Sequence, residues 1–156
     1  MISIHDTSIS LPPIEPCQVL LIDDDLDDRA LAKREMEKSE FVKSVIVFTD
    51  GHSLTTYMHK MGFMDRSILA LTPIMMVVDI EMPRKDGLQV IREIKSDPFL
   101  QPIPLIIMTG TRSTEKIQAA RDLGADGVFR KPLKYGALNK FFKNAWKWPP
   151  ETLWMQ

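Results

Sequence analysis

Acidic residues, a hydroxyl and a lysine follow four short apolar runs of this sequence of 156 residues. Asp23 and Asp24 come after the run QVLLI, and Asp79 closes the run IMMVVD. Thr109 closes the run PLIIMT, and Lys131 comes directly after DGVFR. If each run is a strand of one parallel sheet, these side chains share the carboxyl edge of the sheet, where open α/β sheets bind their ligands.

This set of side chains predicts a site for phosphoryl transfer to a carboxylate. Asp23, Asp24 and Asp79 would repel one another at close range unless a cation neutralised them. Mg²⁺ suits that role, because this hard cation prefers carboxylate, carbonyl and water oxygens. Asp79 could then attack phosphorus while the metal and Lys131 balance charge on the equatorial oxygens, and Thr109 could donate a hydrogen bond to one of them.

Each of these residues alone is ordinary, and a structural interpretation stands beside the functional one. An aspartate after a strand is often a helix N-cap, and a single lysine is usually solvated. Asp25, Asp27 and Asp28 fit the structural role, as a cap and as favourable charge on the first turn of a helix. Because the residues at four strand ends all suit the same chemistry, a functional site is favoured for the set as a whole.

Apolar runs and amphipathic stretches alternate five times along the chain. The runs lack polar alternation, as is typical of strands buried on both faces of a parallel sheet, and they cover residues 18–23, 43–48, 74–79, 104–109 and 126–130. The second and fifth runs are less apolar, which suits edge strands. The alternation predicts an α/β fold with a five-stranded parallel sheet, helices on both faces and right-handed crossovers.

Apolar residues recur at helical spacing between the runs. The clearest stripe belongs to the last helix and consists of Leu138, Phe141, Phe142 and Ala145. Pro149 and Pro150 are expected to end that helix. The segment 62–73 is long for a link between a helix and a strand, so we expect a surface loop there.

Composition indicates an ordinary globular chain without a strong electrostatic preference. Twenty Lys and Arg oppose 21 Asp and Glu, for a formal net charge of −1, so no basic footprint favours nucleic acid or a membrane surface. Cys17 is the single cysteine, which excludes an internal disulfide. Residues 1–16 lack the pattern of a secretory signal and are predicted to form a flexible arm. We therefore expect a cytoplasmic protein.

Four segments carry a resemblance to a known family. In order, LLIDDD, VVDIEMPRKDG, IIMTG and FRKP resemble the signature segments of response-regulator receiver domains. The match runs from about Gln18 to Trp146, so we expect a receiver domain over residues 17–147 and an apolar tail over residues 148–156. The resemblance implies a flavodoxin-like doubly wound (βα)5 fold with strand order 2-1-3-4-5.

The resemblance also implies a role for each site residue. Asp79 would be the phosphoacceptor, Thr109 the switch hydroxyl and Lys131 the lysine that pairs with the phosphoryl group. The implied Mg²⁺ ligands are Asp23, Asp24, Asp79 and the backbone carbonyl of Glu81. The bond between Lys131 and Pro132 is cis in this family.

Two positions depart from the family pattern. The family usually places Tyr or Phe three residues before the lysine, where this chain has Val128. Phe129 is adjacent, but strand alternation points it to the opposite face, so we expect the threonine–aromatic relay to be weakened or replaced. Glu81 and Thr111 occupy variable positions that tune loss of the phosphoryl group. Glu81 could repel that group or bridge to Lys131, and the sequence leaves the sign open.

The resemblance implies partners as well. The donor would be a phosphohistidine on a sensor histidine kinase or a histidine phosphotransfer protein, and the chain would catalyse only its own phosphorylation and dephosphorylation. Phosphorylation would draw Thr109 inward and reshape the face formed by the fourth helix, fifth strand and fifth helix. We expect no output domain after the last helix, and we therefore expect the readout to be a downstream protein, a homodimer or the next carrier of a relay.

The tail that follows the last helix is unusually apolar. Its large apolar residues include Trp148, Leu153 and Trp154, and Trp146 lies just before it. One interpretation is that the tail folds back on its own domain. The other is a dimer or partner contact, because exposed aromatic residues mark interfaces.

Three alternatives belong to other functional classes. A flavodoxin-like cofactor binder needs a phosphate loop after the first strand, where this chain has the repelling sequence DDDLDD. A phosphatase with an aspartyl intermediate would use the spacing of Asp23 and Asp25, but the remaining residues point to Asp79. A degenerate receiver would bind proteins independently of phosphorylation, which the complete set of key residues disfavours.

Overall fold

The five apolar runs form five strands, and helices connect them. The strands are β1 (Cys17–Ile22), β2 (Val42–Phe48), β3 (Ile74–Asp79), β4 (Leu105–Thr109) and β5 (Gly127–Arg130). The helices are α1 (Leu26–Glu37), α2 (Gly51–Lys60), α3 (Arg66–Ala70), α4 (Gly87–Ser96), α5 (Thr114–Asp122) and α6 (Tyr135–Asn144), followed by a 3₁₀ turn over Glu151–Trp154. This computed structural model describes residues 15–84 and 86–154, so most of the predicted arm over residues 1–16 lies outside the described residues.

The strands form one parallel sheet in the order β2-β1-β3-β4-β5, which confirms the predicted fold class and strand order. All six residues of the central strand β3 are buried, which explains why its sequence shows no polar alternation. The less apolar strands β2 and β5 lie at the two edges, as expected. Within the described ranges, no helix is long and apolar enough to cross a bilayer.

Side chains alternate between two cores on the two faces of the sheet. Leu20 and Ile22 of β1 face a core shared with α2, α4 and α5, whereas Val19 and Leu21 face a core shared with α1 and α6. Helices therefore cover both faces, and the carboxyl ends of the strands stay open for a site.

The segment 62–73 was expected to be a surface loop, and this prediction is wrong in part. It contains α3, whose N-cap Asp65 accepts a hydrogen bond of 2.8 Å from the Ser67 backbone N–H. Leu69 of this helix is buried in the core on the α2 face, which gives the short helix its anchor. Because α3 is inserted, the fourth and fifth helices of the predicted pattern are α5 and α6.

The last helix is shorter than its apolar stripe suggested. It ends at Asn144, well before Pro149, and Ala145 is exposed instead of packed. The chain turns there because the Trp146 N–H donates to the Phe141 carbonyl, and the Trp146 ring packs edge-on against Phe142 at 5.3 Å between ring centroids. Packing of an aromatic residue, and not a proline, ends this helix.

The described part of the C-terminal tail folds back on the domain. Trp148 stacks on Trp146 at 6.0 Å between ring centroids, and its indole N–H donates a hydrogen bond of 3.0 Å to the Ala70 carbonyl. Leu153 is completely buried, whereas Trp154 is 59% exposed. The fold-back interpretation therefore holds for Trp148 and Leu153, and Trp154 stays available to solvent.

Candidate functional site

The carboxyl edge of the sheet gathers the residues that the sequence singled out. Asp79 and Thr109 are the last residues of β3 and β4, and Asp23 and Lys131 come directly after β1 and β5. Because the four strands are neighbours in the sheet, their ends meet at one place. The side chains of Asp23, Asp79 and Thr109 are buried there, so this edge carries a largely buried polar cluster.

Asp79 lies at the centre of this cluster with both carboxylate oxygens hydrogen-bonded. Its Oδ2 accepts a hydrogen bond of 2.8 Å from the Lys131 ammonium, and its Oδ1 accepts one of 2.9 Å from the Glu81 backbone N–H. Asp79 itself is 0% exposed. These contacts place the carboxylate directly against a positive charge, which suits a carboxylate nucleophile.

Lys131 contacts a second carboxylate that the sequence analysis assigned differently. The ammonium also donates a hydrogen bond of 2.9 Å to Asp28 Oδ2, so Asp28 belongs to the site and is not only charge on the first turn of α1. Asp25 does cap α1, through a hydrogen bond of 2.9 Å from the Asp28 N–H. Burial alone would lower the pKa of Lys131, but the hydrogen bonds to Asp79 and Asp28 raise it above its ordinary value, so the ammonium stays charged.

Asp23 and Asp24 each present a carboxylate oxygen without a partner. Asp23 Oδ1 accepts from the Asp25 N–H at 2.9 Å and Asp24 Oδ2 from the Arg84 N–H at 3.1 Å. Asp23 Oδ2 and Asp24 Oδ1 are buried and have no hydrogen-bond partner among residues 15–84 and 86–154. Burial raises the pKa of Asp23 to about 7, and the charge of Asp79 adds to that rise, against the hydrogen bond from Asp25. Unpaired buried acceptors of this kind are costly, so the pair is suited to a cation.

The donor set fits a hard divalent cation that completes its coordination with backbone and water oxygens. Buried carboxylate oxygens without partners, one from each of two consecutive aspartates, are ligands that Mg²⁺ and Mn²⁺ prefer. Among residues 15–84 and 86–154, no three His, Cys, Asp or Glu side chains are arranged to hold an ion by themselves. The Glu81 backbone carbonyl and water would have to supply the remaining positions.

Thr109 is engaged by Glu81 in this structure. Its hydroxyl donates a hydrogen bond of 2.8 Å to Glu81 Oε1, and Glu81 Oε2 accepts one of 2.9 Å from the Gly110 N–H. Burial would raise the pKa of Glu81, but the hydrogen bonds from Gly110 and Thr109 hold it below its ordinary value. The sequence left open whether Glu81 repels the phosphoryl group or bridges to Lys131. In this structure the Glu81 carboxylate binds Thr109 and Gly110 at the end of β4 instead of Lys131.

The residues before Lys131 follow the expected strand alternation. Val128 pairs with Ile107 of β4 and packs on the core that Ile107 shares, on the face that also carries Thr109. Phe129 lies on the other face, where its ring meets Phe141 edge-on at 5.6 Å between centroids. No aromatic ring of β5 therefore lies on the sheet face that carries Thr109. The bond between Lys131 and Pro132 is cis, as the resemblance implied.

Gly87 allows α4 to begin directly against the end of β3. A Cβ at this position would lie 2.3 Å from Ile80 Cα and 2.5 Å from the Asp79 carbonyl oxygen, so the backbones leave no room for a side chain. The Asp86 side chain caps the helix by accepting from the Leu88 N–H at 3.0 Å. This close contact fixes the loop that carries Glu81.

Two openings flank the cluster. A cavity of about 680 Å³ lies on the side of Asp24 and is lined by Arg29, Asp50 and Arg84 among others. A groove of about 440 Å³ between α1 and the segment after β5 is lined by Asp28 and Lys131. The first opening reaches Asp24 and the second reaches Lys131, whereas the buried Asp79 lines neither of them.

Sequence reasoning missed the site contact of Asp28. The available signal was its position in the first turn of α1, directly after the loop that carries Asp23 and Asp24, which keeps its side chain near the strand ends. The same position is typical of an exposed carboxylate in a first helical turn. The ion pair with Lys131, which is 103 residues away, could therefore not be predicted from it.

Comparison with known proteins agrees with this geometry. The model of the family described as the response regulator receiver domain matches residues 19–143. The response regulator Rcp1 of the cyanobacterium Synechocystis is 24% identical over 141 residues, which cover 90% of this chain and 90% of Rcp1. A probable cyclic di-GMP phosphodiesterase of Vibrio cholerae is 30% identical over 124 residues, but the match covers 78% of this chain and only 25% of that protein.

Solved structures show the same fold. The Mn²⁺-bound form of Rcp1 superimposes with a TM-score of 0.62 at 21% identity, over 86% of this chain and 99% of that one. The phosphorylated cyanobacterial phytochrome response regulator RcpA superimposes with a TM-score of 0.63 at 24% identity, again over 86% and 99%. At these identities the likeness establishes the fold.

Proposed function

The chain belongs to the response regulator receiver domain family, and from that premise we propose that it is a phosphorylation switch in which Asp79 accepts a phosphoryl group from a phosphohistidine donor. One observation carries the proposal. The buried Asp79 carboxylate lies 2.8 Å from the Lys131 ammonium, beside two carboxylate oxygens of Asp23 and Asp24 that have no partner.

The transfer would proceed by direct displacement at phosphorus. A carboxylate oxygen of Asp79 attacks, an O–P bond forms, and the bond from phosphorus to the imidazole nitrogen of the donor breaks. The electron pair of that bond stays on the imidazole nitrogen, which takes up a proton. Lys131 stabilises negative charge on the phosphoryl oxygens, and the low-dielectric surroundings of the buried cluster strengthen that interaction.

Asp23, Asp24, Asp79 and the Glu81 backbone carbonyl are the groups that would hold Mg²⁺. When bound, the ion neutralises the clustered carboxylates and the charge of the phosphoryl oxygens. The partnerless oxygens of Asp23 and Asp24 support this assignment. The Mn²⁺-bound form of the similar protein Rcp1 lends further support.

The switch itself would connect Asp79 to the face formed by α5, β5 and α6. A phosphoryl group on Asp79 attracts the Thr109 hydroxyl, and Thr109 belongs to the strand that precedes α5. Movement there biases a two-state surface that a downstream protein or a second copy of the chain can recognise. The known phosphorylated form of the similar protein RcpA supports a phosphorylated state.

Intact mass spectrometry after incubation with acetyl phosphate and Mg²⁺ tests the proposal. We expect one phosphoryl adduct on the wild type and none on Asp79→Asn or without Mg²⁺. Asp122→Asn, an exposed aspartate of α5, is the matched control and should form the adduct. If neither acetyl phosphate nor a phosphohistidine donor produces an adduct, the chain is instead a degenerate receiver that binds proteins independently of phosphorylation.

A further inference from the structure

The Lys131 ammonium is shared between two carboxylates from different elements. Its Nζ lies 2.8 Å from Asp79 Oδ2 and 2.9 Å from Asp28 Oδ2. The Lys131 side chain is 18% exposed and that of Asp79 is 0% exposed, whereas that of Asp28 is 44% exposed. Asp28 therefore stands at the rim of the site, between the buried cluster and solvent.

Asp28 is held in place by its helix. It lies in the first turn of α1, and its backbone N–H donates to the capping Asp25 side chain at 2.9 Å. A short aspartate side chain on a capped helix has little freedom to follow a moving partner. Lys131, on a long flexible stem, is the member of the pair that can move.

We propose that Asp28 is a positioning residue that competes with a phosphoryl group on Asp79 for the Lys131 ammonium. This inference rests on the proposed function and adds a regulatory residue to it. The phosphoryl group extends beyond the carboxylate that Lys131 now contacts, so the ammonium has to turn toward the new oxygens. Asp28 opposes that turn with a charge-assisted hydrogen bond.

Charge repulsion acts in the same direction as the competition. A phosphoryl group brings further negative charge into a cluster that already contains Asp23, Asp24 and Asp28. Each carboxylate close to the added charge raises the free energy of the charged state, although solvent screens the partly exposed Asp28 more than the buried Asp23. Asp28 thus weakens the phosphorylated state whether or not its hydrogen bond to Lys131 breaks.

The chain supplies a matched control at the neighbouring position. Asp27 lies in the same first turn of α1 and carries the same charge, but it is exposed and has no hydrogen bond or ion pair among the described contacts. Asp27→Asn and Asp28→Asn change net charge and helix-dipole interaction alike. Only Asp28→Asn removes a charged partner of Lys131.

The experiment is a calorimetric titration with beryllofluoride, a mimic of the phosphoryl group, at saturating Mg²⁺. We expect Asp28→Asn to bind about three- to tenfold more tightly than the wild type, the range of one hydrogen bond at a partly exposed position. Asp27→Asn and Asp28→Glu should stay close to the wild type. Equal changes in Asp27→Asn and Asp28→Asn, or weaker binding by Asp28→Asn, would overturn the inference.

A second measurement separates this inference from the proposed function. In the free protein, the side-chain ¹⁵N resonance of Lys131 should shift in Asp28→Asn and stay unchanged in Asp27→Asn; an unchanged resonance in both overturns the shared contact. If the wild type binds beryllofluoride no better than Asp79→Asn, the proposed function fails and this inference fails with it. Wild-type binding without an effect of Asp28→Asn removes the inference alone.

Discussion

The Thr109 hydroxyl donates a hydrogen bond of 2.8 Å to Glu81 Oε1, which ties the loop after β3 to the end of β4. Glu81 Oε2 secures the same connection by accepting from the Gly110 N–H at 2.9 Å. A hydroxyl has one proton to donate. Thr109 therefore has to leave Glu81 before it can donate to a phosphoryl group on Asp79.

Replacing Glu81 by alanine should slow loss of the phosphoryl group. The substitution frees Thr109 to donate to the phosphoryl oxygens and removes a nearby negative charge, and both changes stabilise the phosphorylated form. We expect the half-life of the adduct to increase about three- to tenfold, equivalent to the net contribution of one ordinary hydrogen bond. Mass spectrometry of adduct decay measures this, with Glu115→Ala on the exposed side of α5 as control. A half-life equal to that of the wild type contradicts the prediction.

Stability without metal should fall as pH rises. Burial raises the pKa of Asp23 to about 7 from an ordinary value of 3.8. Between these values the folded chain keeps a proton that the unfolded chain releases, so the contribution of Asp23 is complete below pH 4 and is lost as pH passes 7. Chemical unfolding in EDTA from pH 5 to pH 8 measures the trend.

Replacing Asp23 by asparagine should remove most of that pH dependence. Without a buried charge, the variant should be about 1–3 kcal/mol more stable than the wild type at pH 8 in EDTA. Added Mg²⁺ should stabilise the wild type at pH 8 and have little effect on Asp23→Asn, because one carboxylate ligand is missing. Equal stabilisation of both proteins by Mg²⁺ would argue against Asp23 as a ligand.

Phe129 should contribute to stability and not to switching. Its ring is buried against Phe141, on the face of β5 opposite Thr109. We expect Phe129→Leu to lower the free energy of unfolding by about 1–2 kcal/mol, because some apolar contact is lost from a tight core. Adduct formation and adduct decay should match the wild type. A Phe129 ring that swings toward Thr109 in a structure of the phosphorylated form would contradict this.

The C-terminal tail should be part of the folding unit. Leu153 is completely buried in the core beside α2 and α4, so Leu153→Ala should destabilise the protein by about 2–4 kcal/mol. Trp154, one residue later and 59% exposed, is the control, and Trp154→Ala should change stability by less than about 0.5 kcal/mol. Thermal unfolding compares the two. Equal stability of both variants would mean that the tail does not pack in solution.

The sequence alone determined the architecture and most of the side chains that meet in the acidic site, Asp28 excepted. Strands buried on both faces need long apolar side chains throughout, so β1, β3 and β4 are visible as unbroken apolar runs. In a parallel sheet the carboxyl ends of neighbouring strands lie at the same edge, whichever residues follow the strands. Asp23, Asp79, Thr109 and Lys131 could thus be placed together from their positions after the runs.

The tertiary structure alone decided which donor pairs with which acceptor. Asp28 and Lys131 are 103 residues apart, and Thr109 and Glu81 are 28 apart, so their hydrogen bonds depend on how a helix and two loops are oriented over the sheet. Helix α3 and the burial of Leu153 likewise depend on each other's packing, because neither short segment has enough apolar surface to fold alone. Local sequence patterns carry no information on such contacts, since a hydrogen bond forms only where two side chains meet within about 3 Å.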